Sequence, residues 1–67
     1  MTLKQKLIGE LTSRKSILMH RKEERIQMAN QFHAEMNFAD EDWERTRAME
    51  LSARISEIEM TLALLGE

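Results

Sequence analysis

His20, Glu23 and Glu24 fall within one helical turn of each other, and an imidazole beside carboxylates is a ligand pair that a zinc-like ion accepts. Two ligands of mixed type hold a metal only weakly. The other histidine, His33, stands thirteen residues further on, about 140° away around a helix, so the two imidazoles cannot meet within one chain. Asp40, Glu41, Asp42 and Glu44 offer the oxygens of a calcium site, but not its twelve-residue loop or central glycine. A helix start explains them more simply, with Asp40 as the cap and the next carboxylates near the positive end of the helix dipole. The chain has no cysteine, no glycine-rich phosphate loop and no nucleophile and base on a scaffold that would orient them. The expectation is a non-enzymatic protein with no catalytic residue, cofactor or metal.

What chemistry is left is that of binding. Residues 1–25 hold seven Lys or Arg against three Glu, while residues 26–67 hold three Arg against nine acids, so the net charge of −2 conceals a dipole along the chain. On a helical wheel, Arg21 and Arg25 lie within about 20° of Arg14, with Leu18 and Leu11 next to them and Lys22 and Lys15 just beyond. The cations therefore share the apolar side of their helix. The strip of Arg14, Lys15, Arg21, Lys22 and Arg25 has three readings. Its stems could snorkel along a seam, it could face acidic stretches of a second copy, or it could border a groove, with Arg54 close by, for an acidic helix or a phosphate backbone. Against nucleic acid stand the acidic whole chain and the lack of Tyr or Trp within the basic stretch. Trp43, Phe32 and Phe38 cluster around one point of the sequence. They suit a hydrophobic plug there, or, for Trp43, an anchor inserted in a partner.

The elements that must carry these residues are helices. Zero proline, two glycines and a preponderance of good helix formers leave no strong internal breaker. Ala48, Leu51, Ile55, Ile58, Leu62 and Leu65 recur at alternating steps of three and four, the seam of a helix packed on a helix. Leu7, Leu11, Leu18, Ile26, Ala29, Phe32 and Met36 follow a looser version of that period. Thr2 and Gln5 have capping-box spacing, Asn37 tolerates the left-handed end of a helix, and Gly66 marks the far end. The spacing predicts helix one over 2–36, a turn at 37–40 and helix two over 41–65, one all-α antiparallel hairpin domain. Its core should comprise Leu11, Leu18, Ala29, Phe32, Met36 and the six seam residues of helix two. A single continuous helix is the competing arrangement.

Unequal arms would leave about the first eight residues beyond the end of helix two, exposing Leu3, Leu7 and Ile8, each worth about 1.5–3 kcal/mol if buried. Fraying of that end would leave them wet. Helix two has a second, weaker line in Met49, Ala53, Ser56, Met60 and Ala63, suited to close approach by another helix. A chain of 67 residues buries too little to be more than marginal alone. A homodimer forming a four-helix bundle satisfies both surfaces. That architecture resembles the Rop family of small plasmid-encoded RNA-binding hairpin dimers; no residue motif is shared, so no site carries over. With no signal-peptide pattern, no membrane-length apolar run and no cysteine, a cytoplasmic protein is expected, without membrane contact. The function expected is a protein-interaction module, a regulator, inhibitor or adaptor of a larger protein, of a kind often encoded by phages or plasmids. Nucleic-acid binding through the basic strip and a purely structural oligomer are the alternatives.

Overall fold

The computed structural model describes residues 1–66. Among them there are two helices and no strand: α1, Leu3–Ala34, and α2, Phe38–Leu64. The helices lie antiparallel, joined by three residues, in a rod of 51 × 16 × 12 Å. Pairing runs the length of the rod, from His33–Glu41 beside the turn, through Arg25–Glu44, to Lys15–Glu59. No described helix is long and apolar enough to cross a membrane.

The capping box at Thr2 forms as its spacing implies: the hydroxyl accepts from Gln5 N–H at 3.1 Å and Gln5 Oε1 accepts from Thr2 N–H at 3.0 Å. The turn differs from expectation by one to three residues. Asn37 N–H bonds to Phe32 C=O at 2.8 Å and Met36 N–H to His33 C=O at 3.1 Å, the paired closure of a Schellman motif. The left-handed residue is thus Met36, with φ 61°, and not Asn37. A side-chain-bearing residue held there costs about 1 kcal/mol. Asn37 is needed elsewhere, as the N-cap of α2: its Oδ1 faces Asp40 N–H and its Nδ2 donates to Asp40 Oδ2 at 2.6 Å. Helix two accordingly starts at Phe38, with Asp40 in its first turn instead of at its cap. Met36, expected in the core, is 78% exposed, because the left-handed turn swings it off the seam.

The seam itself is more regular than the apolar residues reveal. On α1, Ile8, Leu11, Lys15, Leu18, Lys22, Arg25, Ala29 and Phe32 alternate steps of three and four; on α2, so do Glu41, Glu44, Ala48, Leu51, Ile55, Ile58 and Leu62. Apart from Ile26 and Ser52, every helical residue that escapes full exposure lies on these two series. This is a heptad pairing in which cations occupy three places on α1. Leu18, Ile55, Ile58 and Leu62 are buried together, with Ile8, Leu11 and Leu51 packed against them. Ile8 is therefore a core residue and not part of an overhang. The overhang shrinks because the turn falls earlier, and Leu3 and Leu7 are the exposed leucines of that end. The apolar cluster fills the open half of the hairpin, with Lys15 and Glu59 bridging at its edge, while Ala29, Ala48 and the Arg25–Glu44 pair fill the seam nearer the turn.

Candidate interaction surfaces

Glu44 is the most unusual side chain in the structure. It is a carboxylate only 3% exposed, on the seam of α2, and Arg25 Nη1 reaches across from α1 to both of its oxygens at 3.2 and 3.1 Å. A charge at such a place persists only when paired and hydrogen-bonded. The helix-start role expected of Glu44 is incorrect, since it lies in the second turn of α2. Its signal was present in the sequence, because Glu44 stands four residues before Ala48 and so continues the seam series backwards.

Trp43, next to this pair, is 54% exposed, and its ring is flanked by the Arg25 guanidinium at 5.8 Å and the Arg47 guanidinium at 5.0 Å. Phe38 is likewise exposed and forms a T-shaped pair with His33, the ring centroids 5.9 Å apart. The aromatic residues do not form a plug. The closed end is held by polar groups instead: His33 Nδ1 lies 2.9 Å from Glu41 Oε1, Arg45 donates to Glu41 Oε2 at 2.8 Å, and Arg45 also reaches Asn30 Oδ1 at 3.3 Å. The hydrogen bond with His33, and then that from Arg45, hold the Glu41 carboxyl below the ordinary glutamate range despite partial burial.

The basic strip divides in two. Lys15, Lys22 and Arg25 belong to the seam: Lys15 bridges to Glu59 at 3.7 Å, Arg25 to Glu44, and Lys22 lies half-buried. Arg14 and Arg21 stand to one side. There they meet Arg54 across a depression of about 550 Å³ floored by Leu18 and Ile58. Arg21 and Arg54 also border the adjoining depression of about 450 Å³, which continues past Leu51 to Arg25 and Arg47. One long groove thus carries five arginines, and interleaved with them Glu24, Glu50 and Glu57. Within 4 Å of Arg14, Arg21 and Arg54 no acidic oxygen is found among the described residues.

The other flank of α2 carries the methionine line. Relative to Ile55, Met49, Ala53, Ser56, Met60 and Ala63 sit about 80–160° to one side, and Arg47 and Arg54 about 80–100° to the other. Met49 and Met60 are 73% and 67% exposed, and Leu64 is more open still. The two flanks are chemically distinct, one cationic around an apolar floor and one carrying adaptable methionines bordered by Arg45 and by the Lys15–Glu59 pair.

His20 Nε2 pairs with Glu24 Oε1 at 2.8 Å on the open surface. Among the described residues no three metal-ligating side chains converge. These features define an all-α, two-helix chain whose distinctive chemistry lies on its long flanks. Comparison with protein-family models, with curated proteins and with solved structures finds no match to it.

Proposed function

We propose that this chain is a non-catalytic protein-interaction module that pairs with a second copy through its methionine flank, as a four-helix bundle, and offers its arginine-lined flank to a partner protein. The observation that carries this reading is surface. A compact monomer of 7.9 kDa exposes about 4,400 Å². This hairpin exposes 5260 Å². The excess is close to the roughly 800 Å² that each partner contributes to a standard interface. Met49 and Met60 are among the exposed apolar side chains, and the central core residues Leu18 and Ile55 each remain 7% accessible, because two helices form a layer with no second layer on it.

Light scattering on the purified chain tests the pairing. A dimer is expected, and Met49→Glu with Met60→Glu should convert it to a monomer by placing four carboxylates in the interface. A wild-type monomer at high concentration would sink the pairing. Pull-down from lysate, split into nuclease-treated and untreated halves, tests the partner class, and a nuclease-resistant protein is expected. The second reading, nucleic-acid binding in the manner of a hairpin dimer, is favoured by Arg14, Arg21 and Arg54, which have no acidic oxygen within 4 Å among the described residues. Recovery of nucleic acid alone would establish it in place of ours.

A further inference from the structure

Arg14 and Arg21 on α1 are seven residues apart, and so are Arg47 and Arg54 on α2. Seven residues rise about 10.5 Å, so each wall of the groove presents guanidinium groups at one heptad interval, beside the seam. Those are the places from which a coiled coil selects an additional strand. Between the walls the floor is apolar, with Leu18 and Ile58, and Ile17 opens beside them at 54% exposure.

We infer that this groove receives an acidic amphipathic helix of a partner protein as a third strand. Its apolar stripe would lie over Ile17, Leu18 and Ile58, and its glutamates, seven apart, would meet Arg14, Arg21 and Arg54. Two other occupants fit less well. A phosphate backbone carries charge without interruption and would pass Glu24, Glu50 and Glu57, whereas a helix can set a neutral or basic residue opposite each. A second copy docking groove to groove would bring five arginines and three glutamates against the same set, an excess of like charge on both sides. Trp43 does not line the groove, but its ring lies 5.8 Å from Arg25 and 5.0 Å from Arg47, which border one end of it, and so is placed to serve as an aromatic anchor for the same strand.

The inference rests on the protein-interaction reading and refines it. Trp43 is the only tryptophan, so its fluorescence reports on that end of the groove. The probe is a synthetic helical peptide of about three heptads, leucine at a and d and glutamate at e and g, titrated into the intact chain. One peptide should bind per hairpin, more weakly as salt rises, and Arg21→Glu with Arg54→Glu should reduce affinity about ten-fold or more. The same peptide with lysine for glutamate should not bind. Helical content and melting temperature verify that the variant folds, and Arg21→Gln with Arg54→Gln provides a milder pair should it not. Equal binding of the two peptides, an unchanged affinity in the folded variants, or displacement of the peptide by a single-stranded RNA or duplex DNA oligonucleotide would overturn the assignment. Light scattering on the same samples separates the two levels. Failure of the peptide on a dimeric chain removes the groove alone, and binding to a monomeric chain removes the dimer and leaves the groove.

Discussion

At the scale of single residues, Glu44 and Arg25 show how a charge enters a core of two helices. Glu44 is enclosed, but Arg25 keeps 37% of its side chain in solvent, so the pair is bridged outward to water. Glu44→Ala therefore leaves a guanidinium that can still hydrate, and about 1–2 kcal/mol of stability should be lost, less than for a fully enclosed pair. Arg25→Leu with Glu44→Leu should recover most or all of it, since apolar side chains of that size complete the heptad seam. Urea unfolding of the three proteins decides the matter. A double variant no more stable than Glu44→Ala would mean that the ion pair fixes the register of the helices instead of filling space.

At the scale of elements, α2 was legible from its sequence because its seam is built of Ala, Leu and Ile, whose spacing states the burial directly. Helix α1 was legible only in outline. Three of its seam positions hold Lys15, Lys22 and Arg25, whose aliphatic stems bury while their heads reach water, so an inspection of apolar residues drifts to Leu7 and Ile26. The groove was partly legible, since the wheel placed Arg14 and Arg21 beside Leu18 with Arg54 close by; the place of Glu44 was implied by the seam continued backwards from Ala48, whereas the contact of Trp43 with Arg25 was not legible, because it depends on a side chain from the other helix. The turn was misplaced for a local reason: Asn37 satisfies two elements at once, as the last residue closing α1 and the cap of α2. That turn has a pH dependence. Glu41 has its folded pKa held below the unfolded one, so its clamp contributes in full above the ordinary glutamate range and is lost as pH falls through the lower, folded value. Acid titration of the melting temperature should show a decline below about pH 4 that Glu41→Gln reduces. An identical decline in that variant would assign the acid sensitivity to other carboxylates.

At the scale of the whole molecule, the gathering of the apolar cluster toward the open end, with two of the three cross-helix ion pairs nearer the turn, should govern the order of assembly. In a hairpin the chain closed by each contact lengthens steadily with distance from the turn. His33 to Glu41 closes eight residues, Leu18 to Ile55 thirty-seven, and the longer closure costs only about 1.4 kcal/mol more in chain entropy. One buried aliphatic side chain returns about 1.5–3 kcal/mol, whereas an exposed ion pair returns about 1 at most. Folding should therefore nucleate on the distant cluster and not zip up from the bend. Stopped-flow measurements on the chain carrying Met49→Glu and Met60→Glu, the monomer under the proposed pairing, should show Ile55→Val slowing folding, with Glu41→Gln mainly accelerating unfolding. The opposite pattern would mean that the bend forms first. If the cluster leads, the exact length of the connection between the helices matters little to the rate. A longer linker at Met36 should then barely change how fast the two arms find each other.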